Sequence, residues 1–156
     1  MTRTQPQPTE TELISLRPDT RGGLESIVDA TYYAPFYDDP RPGTWEDFYA
    51  RYRVVSVPAH SRRIHLYDIV VVHLGGLMPD AYSVWQQSGY QTLRIEPLSP
   101  VAAWTPALVQ PYLKVLNLPH VWRSDGVCVA LPAGMNPARL NLLRAHLGGV
   151  LRFEVV

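Results

Sequence analysis

Between Arg62 and Leu74 the apolar positions fall on both parities at once. Ile64, Leu66, Val70, Val72 and Leu74 share one face of a period-two strand, while His65, Tyr67, Ile69, Val71 and His73 take the other. A strand apolar on both sides is expected to lie between other elements, so this stretch reads as the centre of a sheet. One carboxylate, Asp68, interrupts it on the aliphatic face. A Gly/Pro-containing turn leads from there to a second strand, Ala81 to Trp85, and Tyr90 to Ile95 offers a third after Ser88-Gly89.

Upstream, Leu13 to Leu16 fits a short strand, and Leu24 to Val28 is ambiguous. Thr31 to Tyr37 gathers aromatics around Pro35, which fits an edge strand or an extended loop packed on the core. The spacing then predicts a helix over Thr44 to Arg53. Thr44 and Asp47 resemble a capping box, and Trp45, Phe48, Tyr49 and Tyr52 form a stripe at i, i+3, i+4 and i+7 that would pack on the sheet. Val54 to Val57 extends before Pro58.

Pro97 to Pro106 reads as a joint between an N-terminal body and a C-terminal unit. Thr105-Pro106 is a cap and first-turn pair, and Pro111 should kink or shorten the helix that follows, leaving one helix or two short pieces. Val121 to Arg123 and Val127 to Leu131 flank Ser124-Asp125-Gly126 as a hairpin. Asn136-Pro137 opens a helix with Leu140, Leu143 and Leu147 on one face and Gly148 as its stop, and Val150 to Val156 closes as a strand expected to pair with the hairpin. The expectation is an α+β fold: one compact domain, mainly antiparallel sheet, with two to four helices and a C-terminal ββαβ unit. Residues 1–11 are read as a flexible tail, 12–98 as the body and 99–156 as an extension packed on the same core.

Composition narrows the function. The 156 residues are enough for one domain with a real core. Fourteen basic and fourteen acidic residues cancel, which removes the global pull that most nucleic-acid-binding domains exert. The single cysteine, Cys128, permits no internal disulfide and sits in an apolar strand where an inert thiol is usual. The N-terminal MTRTQPQPTETE has no apolar core of signal-peptide length, and no run approaches the roughly 20 apolar residues of a membrane span, so a cytoplasmic protein without membrane contact is expected.

Candidate chemistry is sparse. There is no G-x-S-x-G elbow, and Gly22-Gly23, Gly75-Gly76 and Gly148-Gly149 lack phosphate-loop spacing. His65 and His73 share a strand face but would stand roughly 27 Å apart at about 3.3 Å per residue. With His60 and Asp68 they make no metal cage, and no metal, cofactor or catalytic residue is assigned. His146, in the last turn of a helix, is explained by the helix dipole. Asp68 is the candidate structural or functional acid: its charge requires neighbours, either backbone N–H groups or Arg62 or Arg63. Charge is locally uneven, with Asp38, Asp39, Glu46 and Asp47 followed by Arg51, Arg53, Arg62 and Arg63. Those four arginines with His65 and Tyr67 are the candidate binding surface.

The order of elements from about Glu12 to Leu98 resembles the YodL-like domain of bacterial mobile elements. Tyr33 to Tyr37 looks like its aromatic segment, TWEDFYARY like its acidic helix, Ile64 to Val71 like its first strand and Gly89-Tyr90 like the end of its second. His65 and Tyr67 stand where the family pattern alternates serines, and Trp85 stands in place of an aspartate. The resemblance implies an accessory or regulatory role, phage- or plasmid-derived, exerted by binding another protein and not by catalysis. A nucleic-acid-binding protein with an Arg/Tyr surface is the alternative, and an enzyme centred on Asp68 a third. Oligomeric state is not set by the sequence.

Overall fold

In a computed structural model, residues 10–36, 49–99, 106–136 and 138–156 are described, apart from the side chain of Tyr82. Five strands close into a barrel: β1 (Thr11–Leu16), β2 (Ser26–Pro35), β3 (Tyr49–Val54), β4 (Ile69–His73) and β5 (Asp80–Gln86). Each pairs antiparallel with the next, and β5 returns to lie parallel to β1 with Ser15 opposite Asp80 and Leu16 opposite Ala81. The closing seam is short, since among the described residues only these two pairs join β5 to β1. The interior is filled by inward residues of alternate parity: Ile14 and Leu16, Val28 and Ala30, Ala50, Tyr52 and Val54, Val70 and Val72, and Ala81.

A second, four-stranded antiparallel sheet runs in the order β7-β8-β6-β9, where β6 is Gln91–Pro97, β7 His120–Arg123, β8 Gly126–Leu131 and β9 Leu151–Val155. Helices α1 (Gln110–Leu116) and α2 (Ala138–Leu147) cover one face, burying Val109, Leu113, Leu140 and Leu143 against Leu93, Ile95, Val127, Val129 and Leu151. The opposite face carries Thr92, Arg94, Cys128 and Ala130, and a small cluster of Val57, Leu66, Cys128 and Ala130 joins it to the barrel. Gly126 is required where β8 starts, because a Cβ there would lie 2.3 Å from the Ile95 carbonyl oxygen.

The α+β class, the mainly antiparallel sheet and the C-terminal ββαβ order are present as read. Three details differ. The predicted helix over 44–53 is a strand where it is described: Tyr49–Val54 is β3, and residues 44–48 lie outside the described residues. Tyr52 points into the barrel, whereas Tyr49 has the outward parity. Aromatics satisfy strand preference as well as a helical stripe, and pairing with β2 on one side and β4 on the other decides between them.

Next, the strand expected over Arg62 to Leu74 is only Ile69–His73; the preceding residues turn, with Tyr67 in the left-handed region at φ 65°. The final strand pairs with β6 and not with the hairpin, because β6 lies between β8 and β9. The helical run around Pro111 is two short pieces, one of the two alternatives read from the sequence: a 3-10 turn at Pro106–Leu108 and then α1, in whose first turn Pro111 falls, where a missing N–H costs nothing. Among the described residues no helix is long and apolar enough to cross a membrane.

Candidate functional site

The six residues singled out as a surface separate into three places. Arg51 and Arg53 lie two apart on β3 and so share the outer face of the barrel. There they interleave with two aromatics. The Arg53 guanidinium lies 5.3 Å from the centre of the Tyr33 ring, and Arg51 lies 5.9 Å from Tyr33 and 4.7 Å from Trp85. Arg51 is anchored further, its Nε donating to the Pro35 carbonyl at 2.8 Å. Phe36 meets both Trp85 and Tyr49 with ring centres 5.9 Å apart, and Tyr49 stands 5.1 Å from His73.

The outer side of β4 is roofed in this region, with Ile69 and Val71 buried although they point away from the barrel interior. The outermost aromatics remain open: Trp85 is 50% exposed and Tyr33 45%. Burial raises the phenol pKa of Tyr32, which points inward beside them, and the Arg51 charge opposes that rise.

Arg62, Arg63 and His65 line a groove of about 520 Å³ with Arg17, Asp19, Ile64 and Ser83. Its guanidinium groups are paired with carboxylates. Arg17 reaches Asp80 at 2.7 Å, Arg62 reaches Glu154 at 2.8 Å and Arg63 reaches Asp19 at 3.3 Å. The hydrogen bond from Arg62 holds the Glu154 carboxyl below its ordinary pKa. The His65 ring sits 2.9 Å from the Thr92 hydroxyl, and burial lowers its pKa against the opposing pull of Asp68 and Asp19. The third place is Tyr67, whose ring packs edge-on to Tyr90 at 5.1 Å.

Asp68 belongs to none of these surfaces. It is fully buried, and its two carboxylate oxygens accept the His65 N–H at 2.9 Å and the Ser88 N–H at 2.7 Å. Ser88 adds a hydroxyl bond to the Leu66 carbonyl at 2.6 Å, so the acid clamps the β3–β4 connection to the β5–β6 turn. Main-chain donors hold it, while Arg62 and Arg63, the other candidates, turn outward to Glu154 and Asp19. Cys128 is likewise enclosed, donating to the Ala59 carbonyl at 3.4 Å, and burial pushes its thiol pKa up. Such a thiol is poorly suited to act as a nucleophile.

Tyr33 and Trp85 are the members of the barrel face that the sequence left unassigned. Their signal was the i, i+2 spacing of Arg51 and Arg53, which marks one face of a strand and is scattered around a helix.

Comparison with known proteins adds the fold alone. No family model matches the chain, and no curated protein does. The structure is similar to the crystal structure of a hypothetical protein from Neisseria gonorrhoeae, with a TM-score of 0.61, 15% sequence identity and coverage of 93% of each chain.

Proposed function

We propose that this chain is a non-enzymatic accessory protein that binds another protein through the outer barrel face on which Tyr33, Arg53 and Trp85 are exposed around the buried Arg51. The observation that carries this reading is the pairing of two half-exposed aromatics with guanidinium groups 4.7 to 5.9 Å from their ring centres on a closed barrel. Trp, Tyr and Arg are the residues enriched at the hot spots of protein interfaces. The enclosure of Asp68 and Cys128 favours binding over catalysis. The YodL-like resemblance supports the same role, and an origin on a mobile element belongs to that proposal.

Nucleic acid is the second reading, because aromatic and arginine platforms also stack bases. The carboxylate partners of Arg17, Arg62 and Arg63 weigh against it, since a phosphate track needs cations whose charge is not already neutralised.

The test compares the protein with a Tyr33→Ala/Trp85→Ala variant and with Arg53→Glu as baits in an extract of the source cells, after circular dichroism shows all three folded. A protein captured by the first and lost from both variants, then shown to bind as a purified component, supports the reading. Equal capture by all three sinks it. Retention of single-stranded DNA or RNA at low salt, falling steeply as salt rises, would transfer the face to the second reading.

A further inference from the structure

Independently of that reading, the last strand carries its own prescription for a partner. Strand β9 is the outer strand of its sheet, hydrogen-bonded to β6. The phase of that ladder is fixed by the bonds at its ends. Val156 and Thr92 exchange N–H···O bonds at 2.9 and 3.3 Å, and the Leu98 N–H reaches the Val150 carbonyl at 3.1 Å. Strand alternation then directs the backbone groups of Arg152 and Glu154 toward β6 and those of Leu151, Phe153 and Val155 away from it. Among the described residues, these outward N–H and C=O groups have no ladder partner.

The side chains around Phe153 are self-complementary in the same register. We propose that a second copy of this chain docks there, β9 against β9 antiparallel about Phe153. In that register Phe153 faces Phe153 of the other copy, and Leu151 faces its Val155. Both are hydrogen-bonded pairs, so every outward backbone group of the strand is used. The intervening pair, where side chains approach most closely, sets Arg152 of each copy opposite Glu154 of the other. Phe153 is half-buried and Val155 is 42% exposed on the helix-bearing face, which the second copy would cover. The arrangement is two-fold symmetric and joins two four-stranded sheets into one. A slip of one residue would set charge against apolar groups, which makes the register specific.

Sedimentation equilibrium over a concentration series tests this. The wild type is expected to show a monomer–dimer equilibrium. Arg152→Glu and Glu154→Arg each place like charges opposite one another twice per dimer, and each should weaken self-association by about tenfold or more. An equimolar mixture of the two variants restores opposite charges at both pairs and should recover a heterodimer of wild-type affinity.

The mixing step reads only contacts between chains, because Arg152 also pairs with Glu96 and Glu154 with Arg62 within one chain. Should either charge variant fail to fold, Val155→Pro takes its place: the Val155 N–H points outward, so the ring removes no bond within the chain and should abolish the dimer. A wild type that stays monomeric at its highest soluble concentration overturns the proposal. So does a variant that dimerises like the wild type, or a mixture of folded variants that fails to recover.

Discussion

Replacing Asp68 by Asn keeps the shape of a fully buried side chain and changes only what its two oxygens can accept. In the wild type one oxygen takes the His65 N–H at 2.9 Å and the other the Ser88 N–H at 2.7 Å. An amide can satisfy one of these, and its NH₂ must then face the remaining N–H. Losing a hydrogen bond to a charged group removes about 1.5–3 kcal/mol, and a buried donor left without a partner adds to that, so about 3 kcal/mol is expected. For a chain of this size that corresponds to a fall in Tm of about 6–12 °C. Asp68→Ala frees both N–H groups and should cost about twice as much, a large share of the stability of an ordinary domain. Thermal unfolding followed by circular dichroism at neutral pH measures both. If the Asn variant melts within about 2 °C of the wild type, main-chain donors are not what hold the acid. If it also loses a binding activity while the fold is intact, Asp68 is functional and not a scaffold part.

Burial lowers the pKa of His65 from its ordinary 6.5, so its contribution to stability is complete above that value and is lost as pH falls through the folded pKa. Melting temperatures taken from about pH 7 to about pH 5 should therefore fall, and fall less in His65→Gln; His60, lowered for the same main reason, keeps part of the slope. Gly126→Ala would force its methyl against the Ile95 carbonyl, where the Cβ would stand only 2.3 Å away, and should cost about 1–3 kcal/mol in urea denaturation; an unchanged midpoint would refute the close approach. The two halves should unfold together, because Val57, Leu66, Cys128 and Ala130 form one cluster across their junction and His65 meets Thr92 at 2.9 Å. Variants retaining a single tryptophan, Trp85 in the barrel or Trp122 in the sheet, should report coincident transitions, and separate midpoints would show two independent units.

The C-terminal half was legible because its local chemistry agreed with its global arrangement. Ser124-Asp125 turns between two short strands, and Leu140, Leu143 and Leu147 keep helical spacing ahead of Gly148. The pairing partner of the last strand was not legible, since strand order depends on which ladder the whole chain completes. The error over Tyr49 to Arg53 has a similar origin. Four aromatics met a helical template, but Ala50, Tyr52 and Val54 alternate with Tyr49, Arg51 and Arg53, and only closure of the barrel makes that alternation count. The sequence shows that Asp68 needs partners and leaves open whether backbone N–H groups or arginines supply them; in the structure the His65 and Ser88 N–H groups do. Its position was not legible, because Tyr67 takes a left-handed backbone that period-two reasoning does not anticipate. The candidate surface suffered most. Its residues were grouped by nearness in sequence, and the turn before β4 sends Arg62, Arg63 and His65 to a groove away from Arg51 and Arg53.

The two proposals reinforce one another through symmetry. A two-fold axis relating antiparallel neighbours in one sheet stands perpendicular to that sheet, so it carries each side of the sheet onto the same side. The barrel joins the face that bears Cys128 and Ala130, whereas the helices lie on the other. Two copies paired along β9 would therefore present both barrels on one side, each with its own Tyr33/Trp85 face. A partner that repeats its own binding site would engage the second face intramolecularly, and its apparent affinity would exceed that of one barrel by far more than twofold. The dependence is directional: an Arg152→Glu variant should bind a single-site partner as the wild type does and lose only the gain from a repeated one. Equal loss toward both would mean that the strand edge, and not the barrel, forms the contact.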